Sequence, residues 1–178
     1  PDRGERRHPR RGEAVVKIGI ISDTHNDVAM VKKAITVFKA RGVDLVVHAG
    51  DLTSPKIMEL FKDLPCRFVL GNCDLDAEAI NEKARALGFG CVEDCCDFTA
   101  GGKRILLFHG NDIPSFRKAV SSGLYDYIIK GHTHIFENYV SNKTRIINPG
   151  SIYREDERTV SVLDTDSDRV EKIKIEID

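Results

Sequence analysis

The 178-residue sequence has no apolar run approaching the roughly 18 residues of a membrane-spanning helix, so no span of that kind is expected. It has almost no net charge: 27 Lys and Arg stand against 28 Asp and Glu. That balance argues against a protein that grips nucleic acid through a basic surface. A small anionic substrate stays open, because bound metal ions can supply the attraction by themselves. A disulfide framework is lacking too. The five cysteines, Cys66, Cys73, Cys91, Cys95 and Cys96, are odd in number and irregular in spacing. No basic segment leads into an apolar signal core, and reduced thiols in the cytoplasm are the expectation. Cys91, Cys95 and Cys96 crowd together, but no second ligand pair follows at zinc-finger spacing. Neither an internal repeat nor a linker divides the chain. Its length suits one domain with one substantial core.

Residues 1–13 (PDRGERRHPRRGE) hold five Arg and no aliphatic or aromatic residue, so they cannot join that core. Residues 1–14 are therefore set apart as a disordered or vector-derived extension, and residues 15–178 as a single folded domain.

Residues 15–22 (VVKIGIIS) form a continuous apolar run with a β-branched bias, the pattern of a strand buried on both faces. From Asp27 the spacing changes. Val28, Val31, Ile35 and Phe38 recur every three or four residues with Gly42 just beyond, which predicts a helix. Residues 44–49 (DLVVHA) read as a second strand, and 54–63 as a short helix with Pro55 in its first turn. Residues 66–70 (CRFVL) read as a third strand and 76–87 as a third helix. This β-α-β-α-β-α order calls for a parallel sheet with helices on its faces. The second half differs. A hairpin is expected over 95–108, turning at Ala100-Gly101-Gly102, then an amphipathic helix over 113–122 closed by Gly123. A buried strand over 126–130 and a second hairpin over 135–147, around Ser141-Asn142-Lys143, follow. Two alternating strands, 158–164 and 169–177, come last, with Ile173, Ile175 and Ile177 on one face. Mixed strands after an α/β start predict two sheets packed face to face with helices outside.

Polar residues cluster where these strands end, which is where open α/β sheets bind ligands. Asp23-Thr24-His25 follows the first strand, Gly50-Asp51 the second and Gly71-Asn72-Cys73-Asp74 the third. His109-Gly110 ends the hairpin strand, and Gly131-His132-Thr133-His134 the later buried strand. Each group adjoins a glycine or small residue that lets backbone approach a shared centre. Four of the six histidines terminate strands in this way. Imidazole and carboxylate together suit Mn, Fe, Ni or Zn better than Mg or Ca. One such pair means little, whereas five in order at matching strand ends point to a metal centre.

Asp23-x-His25, Gly50-Asp51, Gly71-Asn72-x-Asp74, His109 and Gly131-His132-x-His134 resemble the calcineurin-like metallophosphoesterase superfamily. Within it, the short, cap-free chain is similar to the small bacterial and archaeal phosphodiesterases, a group that also contains the retromer small subunit. The resemblance spans residues 15–178. It implies an α/β fold, a four-layer α/β/β/α sandwich of two mixed sheets flanked by helices. It also implies two divalent metal ions per chain, with Mn²⁺ favoured and Fe, Ni or Zn as alternatives. Asp23, His25, Asp51 and His134 would hold one ion; Asp51, Asn72, His109 and His132 would hold the other, with Asp51 bridging. The implied activity is hydrolysis of a small phosphate ester, foremost a phosphodiester, by attack of a hydroxide bridging the two metals. Cys73 and Asp74 are the nearby catalytic candidates. Asn148-Pro149-Gly150-Ser151 also resembles a stretch of this subgroup, near the site but not contacting the metals. His48 stands either behind the site or as a plain core histidine.

Two positions depart from the family pattern. Cys73 occupies a place where many members have a His thought to protonate the leaving oxygen. Esters with strong leaving groups should therefore suffer less than simple alkyl esters. Asn111 lies where many relatives carry a further His, which bears on substrate contact and not on metal binding. Two other functions use the same fold or the same ligands. An interaction scaffold of the retromer-small-subunit type would carry a vestigial metal site, whereas all seven ligand types are present here. A nuclease would need a basic surface that the charge balance lacks.

Overall fold

The structure, a computed structural model, describes residues 16–154 and 156–176; the extension expected over residues 1–14 lies outside the described residues, as does Ile177. The first half of the chain runs β1 (Lys17–Ile21), α1 (Val28–Ala40), β2 (Leu45–His48), α2 (Lys56–Glu59), β3 (Cys66–Phe68) and α3 (Ala77–Ala86). The second half begins with β4 (Cys95–Ala100), β5 (Lys103–Phe108), α4 (Ile113–Ser122) and β6 (Tyr127–Ile129). It ends with β7 (Phe136–Ser141), β8 (Thr144–Pro149), β9 (Thr159–Asp164) and β10 (Arg169–Lys174).

These strands form two five-stranded sheets, ordered β10-β9-β1-β2-β3 and β4-β5-β6-β8-β7. Each sheet contains a run of three parallel strands, β1-β2-β3 in one and β5-β6-β8 in the other. Antiparallel strands complete both, which makes them mixed.

Alternation along the strands explains the layers. Ile18, Ile20, Val47 and Ala49 of the first sheet meet Ile105, Leu107, Ile129 and Ile147 of the second in a core between the sheets. Ile21, Val46 and Phe68 face outward, against Val31, Phe38, Ile57, Phe61 and Ile80 of the helical layer. Ile128 and Ile146 face the other way, under Phe116 and Val120 of α4. The central strands are thus buried on both sides, which is why they read as unbroken apolar runs. The four-layer α/β/β/α sandwich expected from the sequence is the observed fold.

Three helices start on the same device. The carboxylates of Asp27, Asp76 and Asp112 accept the amide hydrogens of Met30, Ala79 and Ser115, each at 3.0–3.1 Å. Pro114 sits in the first turn of α4, and Gly123 closes that helix at φ 63°. Each cap follows closely on a strand-end polar group, so helix starts fix the loops that carry those groups. The segment expected as a helix over 54–63 is α-helical only at Lys56–Glu59. Beyond it the chain tightens into i→i−3 bonds, Leu60 to Ile57, Phe61 to Met58 and Leu64 to Phe61, before Pro65 ends the coil. Among the described residues, no helix is long and apolar enough to cross a membrane.

Gly19 marks the closest approach of helix to sheet. A Cβ built there would lie 2.9 Å from the fully buried ring of Phe38. Gly19→Ala is expected to lower the unfolding free energy by about 1–3 kcal/mol, the usual effect of overpacking. Urea denaturation measures this, and an unchanged midpoint would mean that Phe38 has room to retreat.

Candidate metal centre

All seven side chains expected to hold metal lie just beyond the C-terminal ends of β1, β2, β3, β5 and β6. Five of them take left-handed backbone conformations: Asp23 (φ 53°), His25 (41°), Asp51 (58°), His132 (71°) and His134 (60°). Side chains other than glycine rarely do so, and each instance costs on the order of 1–3 kcal/mol unless its surroundings over-determine it. Here they do. The β1–α1 loop pairs with the β2–α2 loop through Asp23 N–H to Gly50 O (3.1 Å), His25 N–H to Asp51 O (3.0 Å) and Asn26 N–H to Leu52 O (3.0 Å). Gly131 N–H donates to His109 O (2.9 Å) and ties the ends of β5 and β6. The left-handed turns let both members of Asp23-x-His25 and of His132-x-His134 face one region.

Glycine makes the approach close enough. A Cβ on Gly71 would fall 2.1 Å from Asp51 Oδ1, and one on Gly131 would fall 2.6 Å from Asp23 Oδ2. The two carboxylates therefore rest directly on glycine backbone.

The resulting cluster is compact. His134 Nε2 lies 3.3 Å from Asp23 Oδ1, and His25 Nε2 lies 3.7 Å from Asp51 Oδ2. His109 Nε2 is 3.4 Å from Asp51 Oδ1 and 4.0 Å from Asp23 Oδ1. His25 and His134 bring their Nε2 atoms to 3.5 Å, and Asn72 Oδ1 is 3.1 Å from His109 Nε2. The rings of His132 and His109 meet edge to face at 5.1 Å between centroids. Three overlapping groups, Asp23/His25/His134, Asp23/Asp51/His109 and His25/Asp51/Cys73, each bring their donor atoms within 4.8 Å of one another. Asp23, Asp51 and His109 are buried, His25 and His134 half-buried, and Asn72 and His132 exposed. The cluster thus has an acidic floor and an open imidazole rim. Among the described residues, no group able to hold a metal includes Cys91, Cys95 or Cys96.

The electrostatics favour a cation. Burial raises the Asp51 carboxyl, but hydrogen bonding from His109 and from the Cys73 amide outweighs it and holds the group well below the usual carboxylate range. Burial drives Asp23 the other way, above its ordinary value, against the pull of Ser22, His109 and His134. Among the described residues, its Oδ1 is buried without a hydrogen-bond partner. Burial lowers the basicity of His109, yet Asp51, the Ala49 carbonyl and Asp23 together raise it above normal. The His109 Nδ1 lies 2.7 Å from that carbonyl, which can only accept, so Nδ1 carries hydrogen and Nε2 faces the cluster. Burial, then the hydrogen bond to Asp51, pushes the Cys73 thiol up to about 11 and keeps it protonated at neutral pH.

Other residues act behind this cluster. The Asp74 carboxylate accepts the amide hydrogens of Asp51 (2.9 Å), Gly71 (2.8 Å) and Thr53 (2.7 Å). It clamps the two loops that carry Asp51 and Asn72. Asn148 Nδ2 donates to Gly131 O (2.8 Å) and Thr133 Oγ1 (3.0 Å), which fixes the His132–His134 turn. Ser151 Oγ donates to Asp23 O at 3.0 Å. Buried His48 stacks on Phe68 and lies edge-on to Phe61, with Nε2 3.0 Å from Thr24 Oγ1. Sequence reasoning missed Thr24, which joins His48 to the Asp51 carbonyl (3.5 Å), and Tyr153, whose ring centroid lies 4.9 Å from that of His25. Thr24 lies between two of the expected ligands, a signal available in the sequence. Tyr153 offered none.

A two-sheet sandwich carrying a carboxylate–imidazole cluster at its strand ends is the arrangement expected of a metallophosphoesterase. The calcineurin-like phosphoesterase superfamily domain matches residues 16–168, and the chain belongs to that family, whose members use divalent metal ions. Among its relatives, Phosphodiesterase MJ0936 of Methanocaldococcus jannaschii is 30% identical over 168 residues, which cover 90% of this chain and 100% of that protein. A solved structure described as a novel archaeal phosphodiesterase is similar at a TM-score of 0.82 and 29% identity, covering 89% of this chain and 99% of that one. Vps29 of Entamoeba histolytica shares the fold at a TM-score of 0.62 and 17% identity, covering 90% of this chain and all of that one.

Burial of His48 depresses its pKa from 6.5 to about 3, so it folds in as the neutral ring. The unfolded chain binds this proton below pH 6.5 and the folded chain does not. Stability is therefore complete above that pH and falls as pH drops from about 6.5 towards 3. Between pH 7 and 5 this one group should remove about 2 kcal/mol. Urea unfolding in EDTA at both pH values should show a smaller loss for His48→Gln than for the wild type; equal losses would mean the ring is already protonated in the folded state.

Proposed function

We propose that the protein is a dinuclear metal-dependent phosphodiesterase acting on small phosphate esters, with Asp23, His25, Asp51, Asn72, His109, His132 and His134 as metal ligands and manganese as the favoured ion. The observation that carries this reading is Asp23 Oδ1, a buried carboxylate oxygen with no hydrogen-bond partner among the described residues, lying 3.3 Å from His134 Nε2 and 4.0 Å from His109 Nε2. A buried carboxylate left this way is costly unless a cation reaches it. The donor set, imidazole and carboxylate with one amide oxygen, fits a first-row divalent ion. Asp51 faces both halves of the cluster, His25 through Oδ2 and His109 through Oδ1, which suits it to the bridging place.

Divalent ions bound here would supply Lewis-acid charge for the phosphoryl oxygens and an activated water as nucleophile. The chain does the rest. Asp74 and Gly71 hold Asp51 in place, and the Ala49 carbonyl fixes the tautomer of His109. Exposed Asn72 and His132 mark the side from which an ester enters. Cys73 keeps its thiol proton at neutral pH, so a weakly acidic donor stands where the leaving oxygen would depart. Aryl esters, whose leaving oxygen needs no proton, should turn over faster than alkyl esters. The near-neutral charge favours a small ester over a nucleic-acid strand.

Asp51→Asn and His132→Ala are expected to reduce turnover of bis(p-nitrophenyl) phosphate with Mn²⁺ by on the order of a thousandfold, with unchanged far-ultraviolet circular dichroism. Calorimetric titration of EDTA-treated protein should show Mn²⁺ binding tighter than millimolar in the wild type and weakened in Asp51→Asn. Full activity in both variants ends the two-metal reading, and absent Mn²⁺ binding by the wild type favours the non-catalytic scaffold instead.

A further inference from the structure

Beside the open rim, Arg154 has no carboxylate partner among the described residues. The segment after β8 is tied to the site: Ser151 Oγ donates to the Asp23 carbonyl at 3.0 Å and accepts the Tyr153 amide hydrogen at 3.0 Å. This places the Tyr153 ring against His25, 4.9 Å between centroids. The exposed guanidinium of Arg154 lies over the Tyr153 ring, its Cζ 4.9 Å from the centroid. His25, Tyr153 and Arg154 thus make a short outward ladder from the metal centre. Among the described residues, no carboxylate pairs with Arg154. Glu157, on the same segment, is taken by Lys172 at 2.5 Å. Arg154 also takes a left-handed backbone, φ 51°, so the turn that sets its guanidinium over Tyr153 is held at some conformational cost.

An arginine held over an aromatic ring can keep N–H groups for another partner, and those groups match a phosphoryl or carboxylate group in a two-pronged bond. Stacking on Tyr153 restricts the side chain before a ligand arrives, which reduces the ordering that binding demands. We propose that Arg154, positioned by Tyr153, is a specificity residue that grips a second, non-reacting anion of the substrate. The substrate class is then a phosphodiester carrying a further phosphoryl or carboxylate group on the ester arm that lies over His25. This rests on the phosphodiesterase reading for the reacting phosphate, and adds the second anion from the ladder alone.

The test keeps the leaving group constant. Thymidine 5′-(p-nitrophenyl phosphate), with and without a 3′-phosphate, and bis(p-nitrophenyl) phosphate all release p-nitrophenolate. With Mn²⁺, the wild type should favour the 3′-phosphorylated ester. Arg154→Gln should lower kcat/KM on that ester by about tenfold, mainly through KM, and change the other two less than about twofold. Arg154→Lys should restore part of the loss, since it returns charge without the fork. A loss that is equal on all three esters, or absent on all three, overturns the proposal. A binding measurement separates it from the parent reading. Calorimetric titration with adenosine 3′,5′-bisphosphate and with adenosine 5′-monophosphate should show a preference for the bisphosphate that Arg154→Gln removes. No preference in the wild type overturns the second-anion site whether or not the enzyme turns over. An intact preference without hydrolysis of any ester sinks the phosphodiesterase reading and leaves this site standing.

Discussion

Two buried carboxylates, Asp23 and Asp51, share a few ångströms of space, and their mutual repulsion and loss of water have to be answered within the fold. Backbone amides answer part of it. Cys73 N–H donates to Asp51 Oδ1 at 2.8 Å, and His132 N–H donates to Asp23 Oδ2 at 3.1 Å. Those amides are in reach only because Gly71 and Gly131 carry no Cβ and because the loops turn left-handed at five ligand positions. The remaining demand falls on the imidazoles and, at Asp23 Oδ1, on whatever cation the cluster admits. Loop shape and glycine placement both follow from this pair of acids.

The cluster straddles more than one structural unit. Asp23, Asp51 and Asn72 extend from strands of the first sheet, whereas His109, His132 and His134 extend from the second. The spacing between the two sets is therefore fixed by the apolar layer between the sheets, where Ile18, Ile20 and Val47 meet Ile105, Leu107 and Ile129. An interior packed to crystal density does not deform smoothly, and this rigidity is what a preorganised cluster needs. The chemistry of the site and the packing of the core are one problem solved in two places. Helix starts add to the same end, because the Asp27, Asp76 and Asp112 caps hold the first residues after three of the site loops.

Much of this was legible in the sequence because the physics is local. An unbroken apolar run means burial on both faces, and a polar residue beside glycine at its end means a turn that something must occupy. Those two signals located the central strands and placed all seven expected ligands at the strand ends, where the structure brings them together. The helix over 54–63 came out shorter because spacing alone does not separate i→i−4 from i→i−3 bonding, and the tight turns at Leu60–Leu64 keep the same residues inward. Asp74 was singled out for chemistry, yet its oxygens are taken up by three amides. Nothing in a one-letter code distinguishes an acid that faces substrate from one that faces backbone. Tyr153 was invisible for a related reason: its contact with His25 crosses 128 positions and depends on Ser151 reaching Asp23.

Charge is arranged by depth. Acids form the floor, imidazoles and one amide form the rim, and Arg154 lies beyond them over Tyr153. A small cation is drawn inward past the rim by the floor, while an anion is repelled by the floor and meets only the rim and the arginine. The two kinds of ligand therefore cannot compete for the same depth. A cation bound at Asp23 and Asp51 would reverse the sign that an approaching phosphate meets, and would thereby open the outer level to an anion. Cys73 fits this order: between two acids its thiol stays uncharged, which spares the rim a third negative group where an ester would sit. A thiolate there would hold metal more tightly and repel the substrate. Burial, together with the same acids that make the site costly to fold, thus keeps its one thiol from disabling it.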